Sequence, residues 1–324
     1  MLDPERIRSY TPSNRRPRRS GKQNRIVGVF VFGIALSLSL LSCAPKPDIT
    51  VGPVNTVTSP PSTKTQESLI TTPLPRITPT SIPTHTPISC LQQDGIVEVH
   101  EIRHPDLVSP VRVRAYLPPC YEQDTFATYP TLILLHGLLA TDHQWDNLGV
   151  DDLADQLIHA GDSPPFIILM PWIRSSQDPY IAVKDVLIPY AENQWRLSDE
   201  REFWAIGGIS RGAGQALQIG LLHPNRFSAI GLHSPAILYA PELLLSWYLA
   251  TEEAQRPAIW FDIGESDSLL ESALVLLGTF QGAEIKITDQ INTGDHTSEY
   301  WMENLPDYLN WYVSFWLSPN ESGH

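Results

Sequence analysis

Basic residues are scarce in this sequence, with 22 Lys and Arg against 36 Asp and Glu among 324 residues. Eight of the basic residues fall within residues 1–25, so the part of the chain from Cys90 onward is strongly acidic. An acidic surface repels phosphate backbones and offers no basic patch for anionic lipid headgroups. We therefore expect no nucleic acid among the partners of this protein.

Cysteine is also scarce, with three residues in the chain. The histidines and cysteines show none of the spacings that are typical of metal ligands, so we expect neither a metal nor another cofactor. Cys90 and Cys120 flank the start of the acidic part, where no third cysteine competes. In an oxidising compartment they are predicted to form a disulfide, and a pair of buried thiols is the alternative.

Long apolar runs are missing as well. The longest, Ile26–Leu41, has sixteen uncharged residues after the basic cluster, which is typical of a secretory signal and short for a membrane span. It ends in Leu-Leu-Ser-Cys, which resembles the lipobox of bacterial lipoproteins and makes Cys43 the lipidated first residue after cleavage. This predicts a signal peptide over 1–43 and a cell membrane lipoprotein with its folded domain on the extracytoplasmic side. An uncleaved signal anchor is the alternative.

Proline and threonine dominate 44–89, and no apolar period is present there. Prolines disfavour helices and central strands, so this segment is predicted to be a disordered linker that holds the next domain away from the membrane. The folded domain is then expected over 90–324.

Strand-like and helix-like segments alternate through the folded domain. The apolar run L-I-L-L at 132–135 and the run F-I-I-L-M at 166–170 are typical of strands buried on both faces. An amphipathic helix is predicted over 150–160, a last strand over 284–288 and a closing helix over 301–316. Such alternation predicts an α/β fold in one domain, with a mostly parallel sheet and helices on both of its faces.

One glycine-rich turn carries a candidate nucleophile. In G-G-I-S-R-G-A-G, Gly208, Ser210 and Gly212 match the pattern Gly-x-Ser-x-Gly, between a short apolar strand and an amphipathic helix. That context is the one a nucleophile elbow needs, and a side chain at either glycine would crowd the neighbouring strand or helix. The N-terminus of the following helix favours developing negative charge. Ser210 is therefore the predicted nucleophile.

A serine nucleophile needs a base, and the base needs an orienting acid. In this architecture the acid and then the histidine follow the serine, each on a loop after a strand. Of the four histidines after Ser210, His296 lies between the predicted last strand and last helix, and we predict it as the base. The acid follows the strand A-I-W-F-D-I, where Asp267 is preferred over Glu265 and Asp262.

The oxyanion of an ester intermediate needs two backbone N–H donors. Arg211 follows the nucleophile and Leu138 lies in the loop after L-I-L-L-H-G, so these two amides are the predicted donors. His136 is expected to brace that loop. Trp145 is a candidate for lining the substrate pocket, with core packing as the alternative.

Segments in the same order along the chain resemble one family of α/β hydrolases. These are Y-P-T-L-I-L-L-H-G-L-L, A-I-G-G-I-S-R-G-A-G-Q-A-L, H-P-N-R-F-S-A-I-G-L-H-S-P, D-I-G-E-S-D and G-D-H-T-S-E-Y-W. They resemble the esterase family that includes esterase D-type S-formylglutathione hydrolases, feruloyl and acetyl xylan esterases, enterochelin esterases and mycolyltransferases of the antigen 85 type. The resemblance runs from about Val111 to Trp316.

The resemblance implies an α/β-hydrolase fold, an ester substrate such as an acylated carbohydrate, and the roles already predicted for Ser210, Asp267, His296, Leu138 and Arg211. One departure is Arg211 itself, because many members have a small residue or methionine there. The predicted function is a membrane-anchored serine carboxylic ester hydrolase that forms an acyl-enzyme. The alternatives are an acyltransferase of the antigen 85 type and a non-catalytic surface binding protein on the same scaffold.

Overall fold

The computed structural model describes residues 92–317. The segments 1–43 and 44–89 lie outside the described residues, and so do Cys43 and Cys90. The lipoprotein signal, the linker and the Cys90–Cys120 disulfide therefore stay predictions. Within the described part of the chain, no helix has the length and apolar character that crossing a membrane requires.

The described residues form one eight-stranded sheet. In chain order its strands are β1 (Ile96–Ile102), β2 (Val111–Leu117), β3 (Thr131–Leu135), β4 (Ile167–Trp172), β5 (Trp204–Ile209), β6 (Ala229–His233), β7 (Ala258–Gly264) and β8 (Thr288–Asn292). Their order across the sheet is β1-β2-β4-β3-β5-β6-β7-β8. The β1–β2 and β2–β4 pairs are antiparallel and the other pairs are parallel, which confirms the predicted mostly parallel sheet.

Helices cover the sheet on both faces. They are α1 (His143–Asn147), α2 (Val150–Ala160), α3 (Pro179–Ile181), α4 (Ile188–Gln194), α5 (Arg211–Leu222), α6 (Pro241–Ala250), α7 (Leu270–Gly282) and α8 (Ser298–Val313), with a π-helical segment, Ala182–Leu187, between α3 and α4. The apolar side chains of α1, α2 and α8 pack in one core cluster, and those from Ala182 through α4, α5, α6 and α7 pack in another.

Strand β3 shows why its sequence lacks alternation. All five of its side chains are buried. Leu132 and Leu134 belong to the core cluster on the α2 and α8 side, whereas Ile133 and Leu135 belong to the cluster on the other side. Because successive side chains of a strand point to opposite faces, two covered faces require a continuous apolar run.

The last predicted strand and the last predicted helix have wrong boundaries. The last strand is predicted at 284–288, but β8 pairs with β7 over Thr288–Asn292. Ile285 and Ile287 pack against the core from the connecting segment, so their alternation comes from a loop and not from a paired strand. Helix α8 begins at Ser298, earlier than the predicted residue 301, because the Thr297 hydroxyl accepts a hydrogen bond from the Tyr300 N–H and caps the helix.

The carboxyl ends of the parallel strands align at one edge of the sheet. Leu135 at the end of β3 lies opposite Gly208 in β5, and Gly264 at the end of β7 lies opposite Asn292 at the end of β8. The loops that follow these strands therefore emerge at the same edge. In open α/β sheets this edge is where ligands bind.

Candidate active site

The turn between β5 and α5 holds Ser210 in a strained conformation. Its φ is 56° and its ψ is −118°, which a residue other than glycine adopts at a cost. The Ser210 N–H donates to the His233 carbonyl at 2.9 Å, and the Ser210 carbonyl accepts from the N–H groups of Ala213 and Ala236 at 3.0 Å. These bonds stabilise the turn. The side chain makes no capping bond to α5, which leaves its hydroxyl available for chemistry.

The two glycines of the turn are required by close backbone contacts. A Cβ added at Gly208 would lie 2.4 Å from the carbonyl carbon of Gly212, in α5. A Cβ added at Gly212 would lie 2.4 Å from the carbonyl oxygen of Leu135, in β3. Both distances are far below van der Waals contact with rigid backbone. The predicted crowding of helix and strand is therefore confirmed.

Asp267 and His296 are hydrogen-bonded at the same edge of the sheet. His296 Nδ1 donates to Asp267 Oδ2 at 2.7 Å, and the Leu269 N–H donates to the other carboxylate oxygen at 2.8 Å. The Asp267 side chain is fully buried, whereas that of His296 is 25% exposed. The carboxylate thus orients the imidazole while part of the ring stays accessible to solvent.

The other acid candidates have different surroundings. Asp262 is buried and accepts a hydrogen bond from His233 Nδ1 at 2.7 Å, so it belongs to a second Asp–His pair whose side chains are both fully buried. Glu265 is exposed, and its backbone N–H bonds to the Asn292 carbonyl. Of the three candidates, Asp267 is the one that contacts His296.

Trp301, in the first turn of α8, supports His296. The two rings pack edge to face, with centroids 5.1 Å apart and planes at 85°. The Trp301 indole N–H donates to Ser234 Oγ at 3.0 Å, which ties the ring to the end of β6. Trp301 is not among the residues predicted for the site from the sequence. Its signal in the sequence is an aromatic residue five positions after the predicted base, near the start of the last helix.

The predicted oxyanion donors lie in the loop after β3 and at the start of α5. The Gly137 N–H is already used, because it donates to Gln144 Oε1 at 2.7 Å. Among the described residues, no protein group accepts a hydrogen bond from the backbone N–H of Leu138 or of Arg211. Arg211 is the first residue of α5, where helix N–H groups have no partner within the helix. Both amides can therefore donate to a bound oxygen.

His136 holds the loop after β3 in place, as expected. Its Nδ1–H donates to the Gly137 carbonyl at 2.8 Å, and its Nε2 accepts from the Ile173 N–H at 3.0 Å. Burial, with a smaller contribution from the positive charge of Arg211, lowers the pKa of the His136 ring. A neutral imidazole is required for this pattern of one donor and one acceptor.

The structure corrects the prediction that Trp145 lines the substrate pocket. This side chain is 1% exposed and belongs to the core cluster under α2 and α8. Its indole N–H donates to the Leu135 carbonyl at 3.1 Å, and its ring packs edge to face on His233. Because α1 packs on the sheet, Trp145 enters the core, where its hydrogen bond to Leu135 supports the end of β3.

Comparisons with known proteins agree with this architecture. The family model described as "Putative esterase" matches residues 105–312. An uncharacterized protein of Corynebacterium glutamicum is 25% identical over 236 residues, which cover 61% of this chain and 55% of that protein. The chain thus spans about half the length of the curated relative it matches.

Two solved structures share the fold. A ferulic acid esterase superposes with a TM-score of 0.61 at 24% identity, over 68% of this chain and 99% of the other. The S-formylglutathione hydrolase FrmB of Staphylococcus aureus superposes with a TM-score of 0.59 at 17% identity, over 68% and 99% of the two chains. At these identities the likeness shows the fold alone, and that fold is the predicted α/β-hydrolase fold.

Proposed function

This chain belongs to the esterase family whose model it matches, and on that premise we propose that it is a serine carboxylic ester hydrolase that works through Ser210, His296 and Asp267. One observation carries the proposal. His296 Nδ1 donates to Asp267 Oδ2 at 2.7 Å, at the sheet edge where Ser210 lies on its strained turn. A histidine oriented by a buried carboxylate is what a serine nucleophile requires.

The acylation half-reaction follows from the positions of the groups. With its proton on Nδ1 bonded to Asp267, the His296 ring has an unprotonated Nε2. That nitrogen takes the proton of the Ser210 hydroxyl as Oγ attacks the ester carbonyl carbon. The carbonyl oxygen becomes negative and is bound by the N–H groups of Leu138 and Arg211. The tetrahedral intermediate then collapses, His296 gives the proton to the departing alcohol, and an acyl-enzyme remains.

Deacylation repeats the sequence with water. His296 Nε2 takes a proton from the water as its oxygen attacks the acyl carbon. The same two N–H groups bind the oxyanion again. The bond to Ser210 Oγ breaks, the serine recovers its proton from His296, and a carboxylic acid leaves. The N-terminus of α5 favours the negative charge in both steps.

We propose that the enzyme is a lipoprotein anchored through Cys43 and acts outside the cytoplasmic membrane. Support comes from the basic cluster, the apolar run of sixteen residues and the Leu-Leu-Ser-Cys sequence. The substrates would then be exported esters, for which acylated carbohydrates are the leading class. The structural likeness to a ferulic acid esterase is in line with an ester substrate.

The first test is hydrolysis of p-nitrophenyl esters of increasing acyl length by the full chain and by Ser210→Ala. We expect the variant to lose at least about a thousandfold in rate, because it lacks the nucleophile, and to unfold at an unchanged temperature. Ser272→Ala is the matched control, since Ser272 is an exposed serine on α7 and should keep the full rate. A Ser210→Ala variant that keeps most of its turnover would overturn the assignment.

Two further readouts separate this function from its alternatives. An acyltransferase that uses the same residues would give two results together. A fluorophosphonate would label Ser210, and a new ester would form only when an alcohol is added. Absence of both labelling and turnover would indicate a non-catalytic binding protein.

A further inference from the structure

Arg211 directly follows the predicted nucleophile, and its side chain has no carboxylate partner among residues 92–317. Its Nη1 donates to Ser175 Oγ at 3.4 Å and its Nη2 to the Ile173 carbonyl at 3.3 Å. Its Nε is buried and has no partner among the described residues. Both hydrogen bonds are long and go to neutral oxygens, which is weak compensation for a guanidinium.

Other arginines near the same edge of the sheet are paired. Arg112 and Arg114 both contact Asp142, at 2.5 Å and 3.8 Å, and Arg114 also contacts Asp146 at 3.7 Å. The chain has 36 acidic residues against 22 basic ones, so potential carboxylate partners are plentiful. Among the described residues, none of them lies within ion-pair distance of Arg211.

The position of Arg211 makes this unpaired charge costly. The side chain is half-buried, and burial lowers the pKa of the guanidinium. Partial burial removes water from the guanidinium, which is unfavourable when no anion pairs with it. The two weak hydrogen bonds compensate only part of this loss of solvation. The guanidinium extends from the elbow across the end of β3 to the segment after β4, where Ser175 is exposed to solvent. An anion arriving from solvent can therefore reach it.

We propose that Arg211 binds an anionic group of the substrate, a carboxylate above all, so that this enzyme prefers esters that carry negative charge close to the scissile bond. The inference rests on the proposed function, because it assigns a substrate class to the same site. A planar guanidinium fork matches a carboxylate with two parallel hydrogen bonds. The substrate would supply the counter-ion that the described part of the chain does not provide at this position.

A purely structural brace between the elbow and the segment after β4 is the competing role. Loss of a brace would lower the turnover of all esters alike, because it would disturb the turn that holds Ser210. Loss of an anion site would lower the turnover of anionic esters selectively, mainly through KM. The ratio of kcat/KM for matched anionic and neutral esters therefore distinguishes the two roles.

The experiment uses the full chain and two matched substrate pairs. In the first pair, p-nitrophenyl hemisuccinate carries a carboxylate on the acyl side and p-nitrophenyl pentanoate is its neutral counterpart. In the second pair, p-acetoxybenzoate carries a carboxylate on the alcohol side and p-acetoxybenzamide is neutral. We expect Arg211→Gln to lower the anionic-over-neutral ratio about tenfold or more in one pair, which identifies the side. Arg211→Lys should keep part of the preference. The Arg211 backbone N–H is present in both variants.

Lys286→Gln is the matched control, because this exposed lysine precedes β8 at the opposite edge of the sheet and carries the same charge. It should leave the ratio unchanged. If Arg211→Gln does not fold, the ratio should still fall with added NaCl in the unsubstituted chain and with Arg211→Lys.

The inference would be overturned if Arg211→Gln left the anionic-over-neutral ratio of kcat/KM unchanged in both pairs. It would also be overturned if neither added NaCl nor Arg211→Lys changed that ratio. The proposed function would then still stand if the neutral esters are hydrolysed and Ser210→Ala abolishes that hydrolysis. No turnover of any ester by the unsubstituted chain would overturn the function and the inference together.

Discussion

At the residue scale, two aspartates each bond to a histidine, and their surroundings separate their roles. Asp262 and His233 are 29 residues apart in the sequence, and so are Asp267 and His296. The first pair is fully buried and the second has a histidine that is partly exposed. Access to solvent makes the second pair suitable for catalysis, whereas the first can serve only the packing of the fold.

Asp267→Asn should separate catalysis from folding. An asparagine amide can donate to His296 Nδ1, which would place the ring proton on Nε2, where it blocks removal of the Ser210 proton. We expect kcat to fall about a thousandfold to ten-thousandfold, with little change in the unfolding temperature. Steady-state kinetics and thermal unfolding of the same preparation test this. A variant with a rate close to that of the unsubstituted chain would show that another acid orients His296.

Asp262→Asn is the matched control for that variant. Its carboxylate also accepts hydrogen bonds from Trp260, Tyr300 and Tyr308. The substitution would place an amide NH2 group, which cannot accept a hydrogen bond, next to these buried donors. We expect a loss of about 3 kcal/mol in the free energy of unfolding. The effect on kcat, measured where the variant is folded, should be small beside that of Asp267→Asn. The opposite result would exchange the roles of the two pairs.

At the element scale, helix α2 carries a carboxylate that opposes folding at neutral pH. Asp151 lies in its first turn. Burial, and then repulsion from Asp146 and Asp152, raise the pKa of the Asp151 carboxyl from 3.8 to about 6. A raised folded-state pKa means that the folded chain binds this proton more tightly than the unfolded chain. The residue therefore reduces stability above about pH 6, and the reduction fades as pH falls through that value.

Asp151→Asn should accordingly stabilise the chain at alkaline pH. We expect a gain of about 1 kcal/mol at about pH 8, since partial exposure and the helix N-terminus offset part of the penalty. The gain should shrink at about pH 5, where the carboxyl of the unsubstituted chain is mostly protonated in the folded state. Unfolding temperatures of both chains at the two pH values test this. An equal gain at both would contradict the pKa assignment.

At the scale of the whole molecule, the proposed anchor determines where the enzyme works. If Cys43 is lipidated, a chain expressed with its own signal should incorporate an alkyne fatty acid and begin at residue 43 after processing. Cys43→Ala should lose the label and keep the uncleaved precursor mass, because the thiol that carries the lipid is absent. Cys120 is not a suitable control, since it is predicted to be in a disulfide, so Ser42→Ala serves instead and should keep the label. Label that persists in Cys43→Ala would refute this anchor.

Much of the candidate site could be predicted because its signals are local. An elbow needs glycines within a few residues of the serine, and the structure shows that Gly208 and Gly212 leave no room for a Cβ. The location of His296 after the last strand also follows from the alternation of strand and helix. Trp145 could not be assigned in this way, since its burial depends on which side of α1 faces the sheet.

The sequence by itself determined the α/β class, the tight turn around Ser210 and the chain order of the predicted nucleophile, acid and base. These depend on steric limits and periodicities that act over a few residues. Only the tertiary structure decided the order of strands across the sheet and the pairing of His296 with Asp267 while Asp262 bonds to His233. It also decided that no carboxylate within residues 92–317 pairs with Arg211. The physical reason is that hydrogen bonds and ion pairs join residues distant in the chain, and equal spacings along it do not distinguish an accessible pair from a buried one.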